Sequence, residues 1–271
     1  MLERDLLLNF LETELQAARI RDYCPNGLQV EGKTLLTKIV TGVTASQALL
    51  DAAVEAGADA ILVHHGYFWK NEPYPVVGIK KRRLQTLLRH DINLIAYHLP
   101  LDVHPTVGNN ARLGAILGAE NIDAINSVEP VGVLMQGELA SDTLLSAISE
   151  QIAQQLGREV LTHDAGIGSV KKIAWCTGGG QGYIEQAAAA GAQLFVTGEV
   201  SEQTIHVARE LGIHFIAAGH HGVQNRQQEG GGLTAPRLAA HHPVTALEGG
   251  GNGFGLHRRW LGEAQVFNGL Q

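Results

Sequence analysis

The sequence predicts an α/β fold made of two duplicated α/β halves with a mainly parallel sheet. Three observations predict it: an internal repeat, strands that are apolar at nearly every position, and polar residues that gather where those strands end. Apolar strands that alternate with helices are typical of parallel sheets buried on both faces. The 271 residues, 45% hydrophobic and 17% charged, have the composition of an ordinary globular protein.

The chain begins with an amphipathic segment, in which residues 1–16 place acids among leucines. This pattern predicts a surface helix and not a signal peptide. No apolar run reaches the roughly 18 residues of a membrane span. Cys24 and Cys176 are the two cysteines of the chain, which excludes a disulfide framework and, without a CxxC pair, a thiolate metal site. We therefore expect a cytoplasmic protein with no membrane partner.

The internal repeat joins residues 39–66 to residues 173–200 without a gap, at an offset of 134 (173 − 39). Each copy is predicted to form a strand, a turn, an Ala-rich helix and a second strand. Gly57 and Gly191 follow the helices, where a left-handed residue is favoured. A third apolar run, 92–97 or 213–218, follows in each copy. The order predicts parallel strands joined by helices.

The segment between the copies has a different pattern. Residues 131–135 and 158–162 are predicted strands, and they flank a helix that Ser141 would begin as N-cap. The helix carries an apolar stripe with a spacing of four residues, which predicts a core face: Leu144, Ile148, Ile152 and Leu156.

These patterns divide the chain into four predicted regions. A first α/β half spans 1–128, a linking or inserted subdomain 129–172, and a second half 173–221. Two glycine triplets and the loss of periodicity predict an irregular, disordered tail over 222–271.

Histidines follow the predicted strands. His64 and His65 come at the end of one strand, His98 and Asp102 follow the next, and His220 follows the equivalent strand of the second copy. Ligands of open parallel sheets collect at the carboxyl ends of the strands. Imidazole and carboxylate are metal ligands. A histidine pair alone suits a hydrogen-bonded turn equally well, and Asp102 alone suits a cap, but three strand ends together favour a metal site.

Several neighbouring residues have two interpretations. Glu199 occupies the repeat position of His65 (65 + 134) and is either a site carboxylate or a helix cap. His206, on the following helix, is a candidate to support a ligand. Gly178–Gly180 favours a tight turn over an anion-binding loop, because no phosphate-binding motif surrounds it.

The charge of the chain bears on its partners. A net charge of −7 makes nucleic acid an unexpected partner. One basic cluster, Lys80–Arg83, stands against that background. We favour a solvated first turn of a helix; the other interpretation is a phosphate contact.

Five motifs together resemble the Nif3-like family, whose members are also known as GTP cyclohydrolase 1 type 2 homologues. They are DYCPNGLQV at 22–30, VHHG at 63–66, HLPLD at 98–102, TGE at 197–199 and GHH at 219–221. The likeness spans roughly four-fifths of the chain and is especially close to the short bacterial members. It implies a metal site between the two halves and a ring-shaped homohexamer.

The resemblance also implies a ligand set. His64, His65, Asp102 and His220 would hold two divalent metal ions per subunit, of zinc, iron or manganese. The family places a further Glu four residues after the first His of the GHH motif, where this chain has Gln224. A change of reading frame before the tail is our hypothesis for this departure, and resequencing the gene tests it.

The expected function is a metal-dependent hydrolase that acts on a small-molecule substrate. His98 and Glu199 would carry protons or support the ligands. The family resemblance suggests a nucleotide, with GTP ring opening as the reaction. The alternative is a non-catalytic metal-binding ring protein with a regulatory or scaffold role.

Overall fold

The computed structural model describes residues 1–220 and the backbone of two short strands, 245–247 and 265–268. The described residues divide into two compact units: Met1–Pro100 with the two short strands, and residues 101–220. Among the helices described, none is both long and apolar enough to cross a bilayer.

The first unit has a mixed sheet of six strands. Its elements are β1 (Leu2–Glu3), α1 (Arg4–Leu15), β2 (Gly27–Val30), β3 (Leu35–Leu36), β4 (Lys38–Thr44), α2 (Gln47–Glu55), β5 (Ala60–His65), α3 (Gly78–His90), β6 (Asn93–Ala96), β13 (Thr245–Leu247) and β14 (Gln265–Asn268). The sheet order is β13-β14-β4-β5-β6-β2, and β1 pairs separately with β3. The strands β4, β5 and β6 are parallel. β14 pairs antiparallel with β4 and parallel with β13, and β2 pairs antiparallel with β6.

Local sequence explains the helix between β4 and β5. The Ser46 side chain accepts a hydrogen bond from the Leu49 N–H and caps the start of α2. Gly57, with φ of +68°, follows the last helical turn and confirms the predicted left-handed position. The helix packs its apolar side chains on the parallel strands, so that Leu50 and Ile61 are fully buried in one core.

The second unit, with the short helix α4 (Leu99–Asp102) at its boundary, also has a mixed sheet of six strands. Its elements are α5 (Asn109–Leu117), β7 (Glu120–Ala124), β8 (Met135–Leu144), α6 (Leu145–Leu156), β9 (Leu161–His163), β10 (Ser169–Cys176), α7 (Ile184–Ala189), β11 (Leu194–Thr197), α8 (Glu202–Leu211) and β12 (His214–Ala217). The order is β7-β8-β10-β11-β12-β9, with β10, β11 and β12 parallel.

Each sheet therefore has a parallel centre and antiparallel flanks. The predicted parallel strands and their helices are confirmed at both places where the sequence repeats. The expectation of a mainly parallel sheet is confirmed only in part: the sheets are mixed, because strands from outside the repeat pair antiparallel on both sides of each parallel trio. Mixed sheets of this kind are common when a parallel core takes antiparallel edges.

The helix predicted to have Ser141 as its N-cap instead has Leu144 as its N-cap, three residues later. Residues 143 and 144 still pair with β10, so Ser141 lies within β8 and α6 starts at Leu145. Leu144 is 64% exposed and drops out of the predicted core stripe. Leu145 takes its place beside Ile148, since the β ladder and not a cap sets the start of the helix.

The segment expected to link the halves contributes β8 and β9 to the second sheet. The expected domain boundaries stay predictions. Within the expected tail, the structure describes β13 and β14, of which β14 pairs antiparallel with β4. The rest of 222–271, including Gln224, lies outside the described residues.

Candidate metal centre

Three histidines of the first unit meet at the carboxyl end of its parallel strands. His64 and His65 are the last two residues of β5, and His98 follows β6. Their ring centroids lie 4.4 Å apart for His64 and His65, 5.0 Å for His64 and His98, and 5.6 Å for His65 and His98. One nitrogen from each ring lies within 4.8 Å of the other two.

Backbone and side-chain acceptors orient the first two rings. The Nδ1–H of His64 donates to the carbonyl oxygen of Tyr97 at 3.0 Å. Because a carbonyl cannot donate, Nδ1 carries the proton, and Nε2 of the neutral ring keeps its lone pair. His65 Nδ1 lies 3.2 Å from the Thr44 hydroxyl oxygen. His64 is only 4% exposed, so its ring cannot turn freely toward solvent.

A buried carboxylate holds the third ring. Asp22 accepts a hydrogen bond of 2.7 Å from His98 Nδ1, and its side chain is 2% exposed. The same carboxylate accepts from the backbone N–H groups of Tyr23 and Leu99 and from the Asn26 amide. Burial alone would raise the pKa of Asp22, but the bond with His98 and its charge, with the amide donors, lower the pKa below its usual value.

The other polar residues of the DYCPNGLQV motif fix the chain around the histidines. The Asn26 side-chain oxygen accepts from the His98 backbone N–H at 2.8 Å. Gln29 accepts from the Tyr67 N–H at 2.6 Å and donates to the Tyr67 carbonyl at 3.1 Å. In the sequence, this motif supports the family resemblance, but no local pattern predicts a role for Asn26 or Gln29. Their roles depend on partners 38 and more residues away, which no local pattern displays.

Gly66 is required for close approach. Its φ is not among the positive values, so a left-handed backbone is not the reason for a glycine at this position. A Cβ there would collide with the Gln29 side-chain oxygen and lie 2.7 Å from the Ala96 Cβ. The residue after the histidine pair must therefore be small, because Gln29 and β6 pass directly beside it.

Cys24 lies closer to the site than the sequence suggested. Its sulfur, an Asp22 oxygen and a His98 nitrogen all lie within 4.8 Å of one another. Burial, with the nearby Asp22 charge, raises the pKa of Cys24 to about 12. In the metal-free protein the thiol is then protonated at neutral pH, but this group makes Cys24 a candidate ligand that the sequence analysis had excluded.

In the second unit, Asp102 is a buried acceptor. It is 8% exposed, and its Oδ1 accepts from the Asn109 amide at 2.6 Å and from the Thr177 hydroxyl at 3.4 Å. The helix that follows, α5, has Gly108 as its N-cap, so Asp102 does not cap it. These contacts hold the carboxylate in one orientation.

His220 and Glu199 form a pair in the second unit. His220 Nδ1 lies 2.6 Å from Glu199 Oε1, with the side chains 28% and 46% exposed. The helix α8 is capped by Ser201, so the cap interpretation of Glu199 is wrong. A Cβ on Gly178 would lie 3.3 Å from His220 Nε2, so this glycine leaves room for the ring.

The other residues that the sequence singled out do not lie in these groups. His206 is 59% exposed and lies 4.0 Å from Glu202 on its own helix, without a contact to Glu199 or His220 among the described residues. His221 lies outside the described residues. The roles given to His98, Glu199, Asp102 and His220 stay predictions.

The residues of the first unit fit a divalent metal. Three imidazoles, each of which binds a metal in its neutral form, are a donor set that suits zinc and iron. Metal-binding histidines usually donate their second N–H to a carbonyl or carboxylate, as His64 does to Tyr97 and His98 does to Asp22.

Comparison with known proteins finds one family. The model of Duf34/NIF3 (NGG1p interacting factor 3) matches residues 2–226. A Pseudomonas aeruginosa protein called GTP cyclohydrolase 1 type 2 homolog is 56% identical over 229 residues, which are 84% of this chain and 90% of that protein.

Two solved structures are also similar. Protein ybgI, described as of unknown function, has a TM-score of 0.78 and 52% identity, over 82% of this chain and 89% of its own. TTHA1606 from Thermus thermophilus has a TM-score of 0.74 and 37% identity, over 82% of this chain and 88% of its own. The family match stops at residue 226, near the predicted start of the tail.

Proposed function

This chain belongs to the DUF34/NIF3 family, and we propose that it is a metal-dependent hydrolase. The observation that supports this most directly is the group formed by His64, His65 and His98, whose ligating atoms lie within 4.8 Å of one another. Such a group, at the carboxyl ends of parallel strands, is where ligands of α/β sheets collect.

The proposal includes a dinuclear site and its ligands. His64 and His65 of the first unit, with Asp102 and His220 of the second, hold two divalent ions of zinc, iron or manganese, as the resemblance implies. The proposal treats the two units as duplicated halves, since both carry a parallel trio with antiparallel flanks. The fixed orientation of Asp102, with donors from Asn109 and Thr177, supports its role as carboxylate ligand.

The bound ions would lower the pKa of a water molecule and polarise the substrate. His98 holds its Nδ1 proton on Asp22, so Nε2 is the atom that can accept or return a proton. Glu199 accepts from His220 Nδ1 and keeps that ring in one tautomer.

The proposed substrate is a small molecule with a nucleotide as the first candidate. Relatives 54–56% identical carry the name GTP cyclohydrolase 1 type 2 homolog, which makes GTP the substrate to test first. We also propose a cytoplasmic homohexamer, and light scattering of the purified protein measures its subunit number; a stable monomer would contradict the ring.

The decisive test compares metal-loaded with chelator-treated protein on a panel of nucleotides that includes GTP. We expect turnover only with metal, and a loss of about a hundredfold or more in Asp102→Ala and His65→Ala. His206→Ala is the matched control, because its exposed ring lies outside both groups.

Two results would contradict the hydrolase. Equal turnover with and without metal would exclude a metal-dependent step. Bound metal without turnover on any substrate, combined with intact cellular function in Asp102→Ala, would favour the non-catalytic scaffold instead.

A further inference from the structure

A small cavity in the first unit lies next to the histidine group along the chain. Its volume is about 290 Å³, and it is lined by Tyr67, Glu72, Val77, Ile79, Lys80 and Arg83. The lining therefore combines two cations, one carboxylate, an aromatic ring and two aliphatic side chains. Two of its residues belong to the basic cluster Lys80–Arg83, which the proposed function does not use.

Arg83 is the unusual member of this lining. Its guanidinium Cζ lies 5.8 Å from the centre of the Tyr67 ring. Its Nε is buried, and the guanidinium has no hydrogen bond or ion pair to any residue in the described part of the chain. Arg83 as a whole is half-buried, and Nε is the nitrogen of its guanidinium that is buried without an acceptor; proteins keep such a donor mainly where a further group completes it.

Lys80 and Glu72 neutralise each other and leave Arg83 uncompensated. The Lys80 ammonium lies 3.5 Å from Glu72, and it donates to the Pro73 carbonyl at 2.9 Å. The Glu72 carboxylate also accepts from the Trp69 N–H at 3.2 Å. The lining thus carries an excess of one positive charge, in a chain whose net charge is −7.

The cavity connects to the histidine group through the segment that follows β5. Tyr67 comes two residues after His65, and the Trp69 ring lies 6.0 Å from the His65 ring and 5.0 Å from the His98 ring. A ligand in the cavity and a group held by the histidines would therefore contact the same short segment.

We infer that this cavity binds the oxyanion of a small-molecule ligand, a phosphate or a carboxylate, on the Arg83 guanidinium. Arg83 offers a planar fork of donors that matches either group. The Tyr67 ring, Val77 and Ile79 provide an apolar wall for the rest of the ligand. As a subsite for an anionic substrate, this inference rests on the proposed function; as a binding site, it requires no metal.

The test uses full-length, chelator-treated protein with ¹⁵N-labelled arginine. Inorganic phosphate and, separately, acetate are titrated at constant ionic strength while the Arg83 Nε–H resonance is followed. We expect a saturable shift with one or both anions, and the stronger of the two identifies the ligand class. Removing the metal first prevents phosphate from binding at the histidines.

Variants show whether the anion binds where we infer. Arg83→Gln should raise the Kd of the anion about tenfold or more. Calorimetry measures this Kd. Arg82→Gln, an exposed neighbour outside the lining, should leave it unchanged. The melting temperature of Arg83→Gln should fall by no more than a few degrees, since the variant loses the contact with the Tyr67 ring but no hydrogen bond of the fold.

No saturable shift with either anion would overturn the inference, as would equal losses in Arg82→Gln and Arg83→Gln. Both results leave the hydrolase proposal standing, because metal-dependent turnover is measured separately. Saturable binding with no metal-dependent turnover would support the site and contradict the hydrolase.

Discussion

Two buried aspartates of the first unit offer a matched comparison at the residue scale. Asp22 accepts four hydrogen bonds, one of them from His98. Asp59 also accepts four, from the Lys33 ammonium, the Thr37 hydroxyl and two backbone N–H groups. Both carboxylates fix the chain near β5, but Asp22 alone of the two contacts a histidine of the candidate metal centre.

Asp22→Asn should weaken metal binding about ten- to hundredfold, because the partners that orient ligands have effects of this size. The amide cannot offer the His98 Nδ1–H the same charged acceptor. Metal affinity by chelator competition measures the change. Asp59→Asn is the control: it should destabilise the fold and leave the metal affinity unchanged. Equal metal affinities in both variants would show that Asp22 is structural only.

Asp59 also predicts how stability depends on pH. Burial raises its pKa, but the bonds with Lys33, Thr37 and the backbone outweigh this and lower the pKa to about 2. A carboxyl with a lower pKa in the folded state stabilises the protein above its unfolded pKa of about 4. That stabilisation is lost as the pH falls from about 4 toward 2. In Asp59→Asn the free energy of unfolding, measured with denaturant, should change less with pH in this range than in the wild type. An equal change with pH would contradict the lowered pKa of Asp59.

The sequence predicted part of the candidate site at this scale. His64, His65 and His98 stood out because an apolar strand run ends at each of them. Asp22, Asn26 and Gln29 did not, because each acts through a contact with a residue distant in sequence. An aspartate before a Pro-Asn-Gly turn has the same local pattern whether or not a histidine 76 positions later lies against it.

At the scale of elements, hydrogen bonding determines where helices begin. Ser201 caps α8 with a capping box, in which its hydroxyl accepts from the Thr204 N–H and the Thr204 hydroxyl accepts from the Ser201 N–H. Ser141, which the sequence predicted as a cap, lies inside β8. The two serines have the same local preference, and the β ladder decides between them.

Ser201→Ala should cost about 1 kcal/mol of unfolding free energy, since it removes a cap. Ser141→Ala should change it by less than about 0.5 kcal/mol, as an exposed strand position does. Urea unfolding measures both. A larger loss in Ser141→Ala would indicate that the sequence-based start of α6 is right after all.

A second pair of variants tests whether the turn after β5 requires a glycine. Gly66→Ala should destabilise by roughly 1–3 kcal/mol, because its Cβ would collide with Gln29 and approach Ala96. Gly182→Ala has no atom within 4 Å of the new Cβ and no positive φ, so it should be close to neutral. Thermal unfolding compares the two, and an unchanged Gly66→Ala would show that the turn relaxes.

The repeat predicted the parallel strands and connecting helices of both sheets, because their apolar runs and helix-ending glycines are local signals. It could not predict the flanking strands. These strands pair with the outer edges of the parallel trios, which exist only once each trio has formed. This concerns β2, β8, β9 and β14.

At the scale of the whole molecule, two sheets of the same design carry different polar groups. In the first unit three imidazoles lie at the carboxyl ends of the parallel strands. In the second unit, Glu199 follows β11 and His220 follows β12, and the two form a pair, whereas the buried Asp102 comes after β6 in the chain. The side chains that follow the parallel strands therefore differ between the two units, and such residues, rather than the fold, decide the chemistry of a protein.

Metal binding should couple to the stability of the protein, because ligands held by packed strands exist only in the folded state. At a free metal concentration about 100 times the Kd, the gain is about 2.7 kcal/mol, or roughly 5–10 °C in Tm for a chain of this size. Scanning calorimetry of zinc-, iron- or manganese-loaded protein against chelator-treated protein measures the gain. His64→Ala should abolish it, since this buried ring offers one of the candidate ligand nitrogens. His206→Ala should keep it in full, because that ring lies on the exposed face of α8. A gain that survives in His64→Ala would place the stabilising metal elsewhere in the chain.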